Sequence, residues 1–156
     1  MQILRTTSDN LDFQNLVKKL DVYLAKIDGE DHAFYNQYNK INTLKNCIVI
    51  FDNEKPVACG AIKSIDQNTM EVKRMFTLPE YRGKGFAASV LKELEIWAKE
   101  LGYEKTVLET GKKQIEAIAL YKKCNYEIIP NYGQYAGIEN SVCFEKIVKN
   151  INRVEL

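Results

Sequence analysis

Residues 70–91, MEVKRMFTLPEYRGKGFAASVL, carry the pattern that decides the fold. The first part of this stretch is rich in apolar and aromatic side chains, which predicts a β-strand. Gly83 and Gly85 follow a short link, and a helical pattern of apolar residues begins directly after them at Phe86. A strand that leads through such a loop into a helix presents unpaired backbone amides at the helix start, where an anion can bind.

Further elements are predicted on both sides of this stretch. A first strand is expected at residues 1–7, followed by a helix that Asp9 or Asn10 caps and Gly29 ends. The aromatic-rich residues 32–39 are a candidate short helix. The other predicted strands are residues 46–51, 56–65, 105–110, 126–129 and 141–148, and a last helix is expected at residues 114–124. The apolar face predicted for the central helix comprises Phe86, Val90, Leu94, Trp97 and Leu101, with Glu95 among the residues that face water.

The order of these elements predicts the fold class. Successive strands joined by short polar turns are typical of an antiparallel meander. Residues 71–109 then form a strand–loop–helix–strand unit, in which a right-handed crossover makes the two strands parallel. We therefore expect an α+β fold with a mixed, mostly antiparallel sheet flanked by helices, in one domain over residues 1–156. A homodimer formed through the exposed edge of a C-terminal strand is left open.

Charge and composition exclude several classes of partner. The chain has 22 basic and 21 acidic residues and a net charge of +1, which argues against nucleic acid as a ligand. It has no apolar run long enough to span a membrane and no visible secretory signal, so we expect a cytoplasmic protein. The four cysteines are far apart and His32 is the sole histidine, so no metal site is expected and the thiols should be reduced.

The glycine loop predicts a phosphate or pyrophosphate ligand. The backbone amides from Arg82 to Ala87 are the expected donors, because a helix dipole adds partial positive charge and glycine lets an anion approach closely. Arg82 and Lys84 add full charges, and neither Lys84 nor Gly85 can cap the helix with a side-chain oxygen. A tight turn without a ligand is the alternative. The loop matches neither the nucleotide-triphosphatase pattern nor the three-glycine dinucleotide pattern.

Residues 72–110 and 114–127 resemble the GNAT superfamily of acyl-CoA-dependent N-acetyltransferases. The pyrophosphate-binding motif of that family, Gln/Arg-x-x-Gly-x-Gly/Ala, falls on residues 80–85, where Glu80 departs from the first position. The resemblance implies acetyl-CoA as the acyl donor, without a metal, and a splayed pair of parallel strands that forms the acyl-CoA cleft. The residues that it implies for donor binding are Met75, Phe76, Thr77, Arg82, Gly83, Lys84, Gly85, Phe86, Ala87, Gln114 and Tyr121, with Gln114 standing where many members have Asn.

The same resemblance implies catalytic roles. Tyr121 is the candidate general acid for the departing thiolate, because a tyrosine with a pKa near ~10 can protonate a thiolate of ~8.5. Glu71 is the candidate general base, acting directly or through a water. A tyrosine packed on its helix and a glutamate at a strand end in solvent are the structural alternatives. A backbone amide near Phe76 or Thr77 is expected to stabilise the thioester oxygen.

The candidates for binding the acceptor are Arg74, Glu109, Tyr132 and Tyr135. Strict alternation along the strand places Glu71, Lys73, Met75 and Thr77 on one face, and Arg74 on the other with Val72, Phe76 and Leu78. Arg74 either binds a substrate carboxylate or pairs with Glu109 or another internal acid. Tyr132 and Tyr135, in the loop before the last strand, either touch the acceptor or anchor a long hairpin.

These observations favour an N-acetyltransferase that acts on a primary amine, of a small molecule such as an amino acid or related metabolite. The near-zero net charge supports a small-molecule acceptor. Acetylation of a protein or peptide, and a non-catalytic acyl-CoA-binding regulatory module, are the alternatives.

Overall fold

The computed structural model describes residues 1–29 and 43–149, and it contains the predicted elements. The helices of this part of the chain are α1 (Leu11–Asp28), α2 (Phe86–Glu100) and α3 (Ile115–Lys123). Its strands are β1 (Gln2–Thr6), β2 (Asn46–Asp52), β3 (Lys55–Ser64), β4 (Thr69–Thr77), β5 (Lys105–Gly111), β6 (Glu127–Ile129) and β7 (Ser141–Ile147). The candidate helix at residues 32–39, and His32 within it, lie outside the described residues.

The strands form a mixed sheet in the order β1-β2-β3-β4-β5-β7-β6. The sheet is mostly antiparallel, and β4 and β5 form its parallel pair, which confirms the predicted fold class. The parallel register joins Thr69–Glu71 of β4 to Lys105–Val107 of β5. The last strand, β7, lies between β5 and β6, so the open edge at this end of the sheet is the short strand β6 rather than β7. The dimer considered from the sequence would therefore have to pair through β6.

Helix α1 begins and ends where the sequence indicates. The side-chain oxygen of Asn10 accepts a hydrogen bond from the Phe13 amide at 2.9 Å, which caps the first turn. Gly29 ends the helix with φ of 54°, a conformation that glycine adopts at little cost. The buried apolar face of α1 comprises Phe13, Leu16, Val17 and Leu20.

Strand β4 departs from a regular pleat at Arg74. Its φ is 61°, in the left-handed region that disfavours residues with a side chain. The burial of the strand nevertheless alternates from Val72 to Phe76, in line with the predicted faces over that range. A left-handed, non-glycine residue costs on the order of 1–2 kcal/mol, so the surrounding structure must hold it in place.

Gly60 of β3 shows how closely α2 packs against this region. A Cβ atom at Gly60 would lie 2.7 Å from Met75 Sδ, 2.7 Å from Val90 Cγ1 and 3.1 Å from Leu94 Cδ1. These separations are shorter than van der Waals contact, so even alanine would force the neighbouring side chains to move. Glycine is required here for the close approach of β4 and α2 to β3.

The chain divides into two compact units that are interleaved in sequence. The first unit comprises Met1–Lys63 and Val72–Glu95, and the second comprises Ser64–Glu71 and Ile96–Leu156. Strand β4 contributes to both units. No described helix combines the length and the hydropathy that a membrane span requires. Cys47, Cys59, Cys124 and Cys143 are free cysteines in the structure.

Candidate active site

The glycine loop before α2 has the geometry of an anion site. Gly83 and Gly85 have φ values of 76° and 88°, and a Cβ atom at either position would have no neighbour within 4 Å. The Ser89 amide donates to the Gly85 carbonyl at 3.1 Å, so the helix begins immediately after Gly85. The amides of the first turn have no acceptor within the helix itself. Phosphate oxygens could reach these donors because the glycines place no side chain over them.

Arg82 does not extend from this loop as a mobile phosphate ligand. Its Nε donates to the Thr77 carbonyl at 3.0 Å, and its guanidinium carbon lies 5.1 Å from the ring centre of Tyr23 and 5.6 Å from that of Phe76. These contacts tie the loop to α1 and to the end of β4 within the first unit. Its backbone amide donates to the Pro79 carbonyl at 3.3 Å, so the expectation that this amide binds the phosphate is wrong, and Arg82 contributes its fixed charge.

Two lysines surround Tyr81 at the start of the same loop. Lys55 Nζ and Lys84 Nζ lie 5.2 Å and 5.3 Å from the centre of the Tyr81 ring. Lys55 also lies 3.8 Å from Glu80, which partly offsets this charge. The ring of Phe86 packs edge-on against Tyr81 at 6.2 Å, so the first residue of α2 is anchored beside the loop.

The second half of β4 contains the candidates for the pantetheine arm and an unexpected ion pair. Phe76 and Thr77 are each 8% exposed, and Met75 is half-buried against Gly60. Arg74 Nη1 donates to Asp21 Oδ1 of α1 at 2.9 Å. The partner that the structure gives Arg74 is thus Asp21, whose side chain is 42% exposed, and not Glu109 or another buried acid. No sequence signal identifies Asp21, which lies on the polar side of α1.

The first half of β4, in the second unit, presents the candidate base. Glu71 is 5% exposed, so the alternative of a solvent-exposed strand-end glutamate is wrong. Its Oε2 accepts a hydrogen bond of 2.5 Å from the Tyr132 hydroxyl. Burial, together with the charge and the hydrogen bond of Glu71, raises the pKa of Tyr132. Tyr132 therefore stays a neutral donor towards this carboxylate.

A second carboxylate, Glu109 of β5, lies in the same group of side chains. Its Oε2 accepts a hydrogen bond from the Ser141 hydroxyl at 2.7 Å. Tyr135 is 3% exposed, and burial and then the charges of Glu109 and Glu71 raise its pKa. Its ring packs perpendicular to that of Tyr132 at 5.8 Å. The structure thus brings together Glu71, Glu109, Tyr132 and Tyr135, which we call the carboxylate–tyrosine cluster.

Tyr121 of α3 is buried in the second unit. It is 6% exposed, and its ring packs 6.0 Å from that of Tyr126 and 5.8 Å from that of Phe144. Burial, then the charge of Glu109, raises its pKa, so Tyr121 holds its proton at neutral pH. The alternative of a hydroxyl that extends into solvent does not fit this burial. Gln114 stands at the start of α3 and makes no side-chain cap hydrogen bond.

The sequence of the chain is similar to that of known acetyltransferases. The sequence model of the acetyltransferase (GNAT) family matches residues 13–126. An IAA acetyltransferase from Azospirillum brasilense is 36% identical over 133 residues, which cover 84% of this chain and 87% of that protein. The chain spans 45% of the length of two further curated relatives, from Xenopus tropicalis and Bacillus subtilis.

Solved structures share the fold over nearly the whole chain. A Klebsiella pneumoniae protein, assigned as an acyl-CoA N-acyltransferase, is 26% identical with a TM-score of 0.79, and the match covers 94% of this chain and 97% of that one. A GNAT family acetyltransferase from Elizabethkingia anophelis, solved with acetyl-CoA bound, is 16% identical with a TM-score of 0.65 and covers 94% and 97% of the two chains. At that identity the second likeness concerns the fold.

Proposed function

The chain belongs to the acetyltransferase (GNAT) family, and from this premise we propose that it transfers an acetyl group from acetyl-CoA to a primary amine. The acceptor is a small molecule, such as an amino acid or a related metabolite, which the net charge of +1 favours over a strongly charged macromolecule. The observation that carries the proposal is the loop before α2, where two left-handed glycines leave the helix amides open to a diphosphate.

Donor binding would use the loop and the strand before it. The amides of residues 83–87, namely Gly83, Lys84, Gly85, Phe86 and Ala87, would hold the pyrophosphate of acetyl-CoA. Backbone groups of Met75, Phe76 and Thr77 would bind the pantetheine arm, and an amide there would stabilise the thioester oxygen. Gln114, half-buried at the start of α3, would contact the same arm through its amide side chain.

The transfer requires two proton movements. Glu71 takes a proton from the ammonium form of the acceptor, and the neutral nitrogen then attacks the thioester carbonyl carbon. The carbon–nitrogen bond forms, the carbon–sulfur bond breaks, and Tyr121 gives its phenolic proton to the departing sulfur. The proton that the new amide nitrogen loses restores neutral Tyr121 through solvent, and Glu71 releases its own proton to water. The raised pKa of Tyr121 means that its proton is still in place when the thiolate departs.

Acceptor binding would involve the remaining members of the carboxylate–tyrosine cluster and Arg74. Glu109, Tyr132 and Tyr135 lie with Glu71 in the second unit and offer acidic and aromatic surfaces to an amine. Arg74 belongs to the first unit and offers the opposite charge. We propose that Glu109, Tyr132 and Tyr135 contact the amino group of the acceptor and, as a separate proposal, that Arg74 contacts an anionic group of an acceptor.

The decisive experiment measures thiol release from acetyl-CoA in the presence of pooled amines: amino acids, polyamines, aminoglycosides and short peptides. Release with a small-molecule pool that Glu71→Gln abolishes is the expected result. Release with peptides alone would replace the small-molecule acceptor by a protein or peptide. Stabilisation by acetyl-CoA in thermal unfolding, with no release from any pool, would indicate a non-catalytic acyl-CoA-binding module. The absence of both effects, with no stabilisation by acetyl-CoA and no thiol release, would overturn the proposal.

A further inference from the structure

Arg74 has a buried guanidinium group whose hydrogen-bonding capacity is only partly used. Its side chain is 3% exposed, and Nη1 donates to Asp21 Oδ1 at 2.9 Å. Among residues 1–29 and 43–149, the buried Nε atom has no hydrogen-bond partner. A buried donor without an acceptor is unfavourable, so an acceptor that reaches Nε would stabilise this site.

The position of Asp21 leaves one edge of the guanidinium available. The group carries five N–H donors in a planar fork, and Nε lies on the edge that it shares with Nη2. Since Asp21 binds Nη1, it does not occupy that edge. Two parallel N–H donors on one edge match the two oxygens of a carboxylate, which is the geometry of a bidentate arginine–carboxylate pair.

The backbone of Arg74 is held in an unfavourable conformation. Its φ of 61° is left-handed, and the Cys59 thiol donates to its carbonyl at 3.4 Å. Strained residues of this kind cluster at ligand-binding sites, and strand irregularities re-aim side chains there. If Arg74 only stabilised the fold, a regular strand would do so without this backbone strain. A purely structural ion pair would also be expected to satisfy the buried Nε, whereas Asp21 is 42% exposed and contacts Nη1.

We propose that Nε and Nη2 of Arg74 bind a carboxylate of the acceptor, while Asp21 holds Nη1 and fixes the orientation of the guanidinium. The acceptors would then be amines that also carry a carboxylate, with α-amino acids as the simplest class. This inference rests on the proposed acetyl transfer and deepens it by naming the acceptor class. Arg74 would act as a specificity-determining residue, in contact with the substrate but not with the reacting atoms.

The test compares each α-amino acid with its own carboxamide, which keeps the amino group and side chain but lacks the negative charge. We expect kcat/KM to be at least about tenfold higher for the acid, because the amide offers Nε and Nη2 no charged acceptor. Arg74→Gln should lower kcat/KM for the acid about 100-fold and for the amide less than about threefold. Arg74→Lys should be intermediate for the acid, since lysine keeps the charge but lacks the fork.

Asp21→Asn is the matched variant, because asparagine keeps an oxygen for Nη1 and removes the competing negative charge. The preference for acids should rise about two- to fivefold, as expected when a like charge beside a bound anion is removed. If Arg74→Gln fails to fold, the Asp21→Asn variant still tests whether Arg74 binds the carboxylate of the acceptor. An unchanged or lower preference for acids in Asp21→Asn would then count against the proposal.

Other outcomes would overturn the inference directly. Equal kcat/KM for acid and amide in the wild type, or equal losses for both in Arg74→Gln, would make Arg74 a structural residue only. If no amine leads to thiol release from acetyl-CoA, the proposed acetyl transfer fails. Thermal unfolding with added amino acids or their amides then tests the carboxylate site at Arg74 by itself. Stabilisation by amino acids but not by their amides, lost in Arg74→Gln, would still support the carboxylate site. Equal thermal stabilisation by the acid and by its amide would reject the carboxylate site too.

Discussion

The Tyr132 hydroxyl donates a hydrogen bond of 2.5 Å to the carboxylate of Glu71, a residue 61 positions earlier in the chain. Because Glu71 is buried, removing this donor should disorient the carboxylate and leave it poorly solvated. We expect Tyr132→Phe to lower kcat about tenfold or more and to reduce the free energy of unfolding by about 1–3 kcal/mol. Steady-state kinetics and urea unfolding measure the two effects.

A double mutant separates action through Glu71 from direct contact with the acceptor. If Tyr132 acts on turnover through Glu71, adding Tyr132→Phe to Glu71→Gln should lower kcat by less than about twofold further. Independent, multiplicative losses would instead mean that Tyr132 contacts the substrate by itself.

Tyr121→Phe should lower kcat about 100-fold or more while leaving the affinity for acetyl-CoA within about twofold, because the proton for the departing thiolate is lost but the ring is kept. Tyr126→Phe is the matched control. The Tyr126 hydroxyl bonds Thr106 Oγ1 at 2.7 Å in the buried interior, and its ring packs against Tyr121. That variant should lose stability, by about 1–2 kcal/mol, and retain turnover. Equal turnover in Tyr121→Phe and the wild type would exclude Tyr121 as the acid.

Gly85→Ala should weaken acetyl-CoA binding about tenfold or more, because the new methyl group strains the left-handed backbone and stands over the phosphate-binding amides. Gly102→Ala is the control. The φ of Gly102 is 91°, similar to the 88° of Gly85. A Cβ atom at either position would have no neighbour within 4 Å. Both variants should therefore lose similar stability, about 1 kcal/mol, in thermal unfolding. Similar affinities for acetyl-CoA in the two variants would argue that the loop is merely a turn.

Stability should decrease at alkaline pH in part through Cys143. Burial raises the pKa of this thiol from 9.0 to about 11, and the charges of Glu109 and Glu71 act in the same direction. Between these values the folded protein keeps a proton that the unfolded chain loses, so the free energy of unfolding falls as pH rises from about 9 to about 11. Urea unfolding across this range should show a smaller decrease for Cys143→Ala. An identical pH dependence would contradict this assignment.

Local patterns predicted the elements of the fold well. Helix α1 begins after Asn10 and ends at Gly29 as expected, since capping chemistry depends on neighbouring residues alone.

The buried face of α2 was less predictable. Leu101 is 48% exposed because α2 ends at Glu100, whereas Glu95 is 1% exposed on the buried side of the helix. Periodicity treats a glutamate as a surface residue and cannot detect one that tertiary contacts accommodate.

The candidate site depends more on contacts between distant residues. The glycine loop could be predicted because its chemistry lies in one continuous stretch. The pairing of Arg74 with Asp21, and that of Glu71 with Tyr132, joins separate elements and leaves no periodic trace in the sequence. The left-handed φ of Arg74 was equally hidden, because arginine carries no local preference for that conformation.

The interleaving of the two units has a consequence for synthesis on the ribosome. Residues 64–71, which include the first three residues of β4, leave the exit tunnel early, yet their unit is completed by residues from Ile96 onward. At ordinary translation rates, roughly 2–7 s separate the appearance of Glu71 from that of Val107, its partner in the parallel strand pair. During this interval a nascent chain exposes an unpaired apolar strand edge, so slowed elongation after residue 71 should increase misassembly and chaperone dependence.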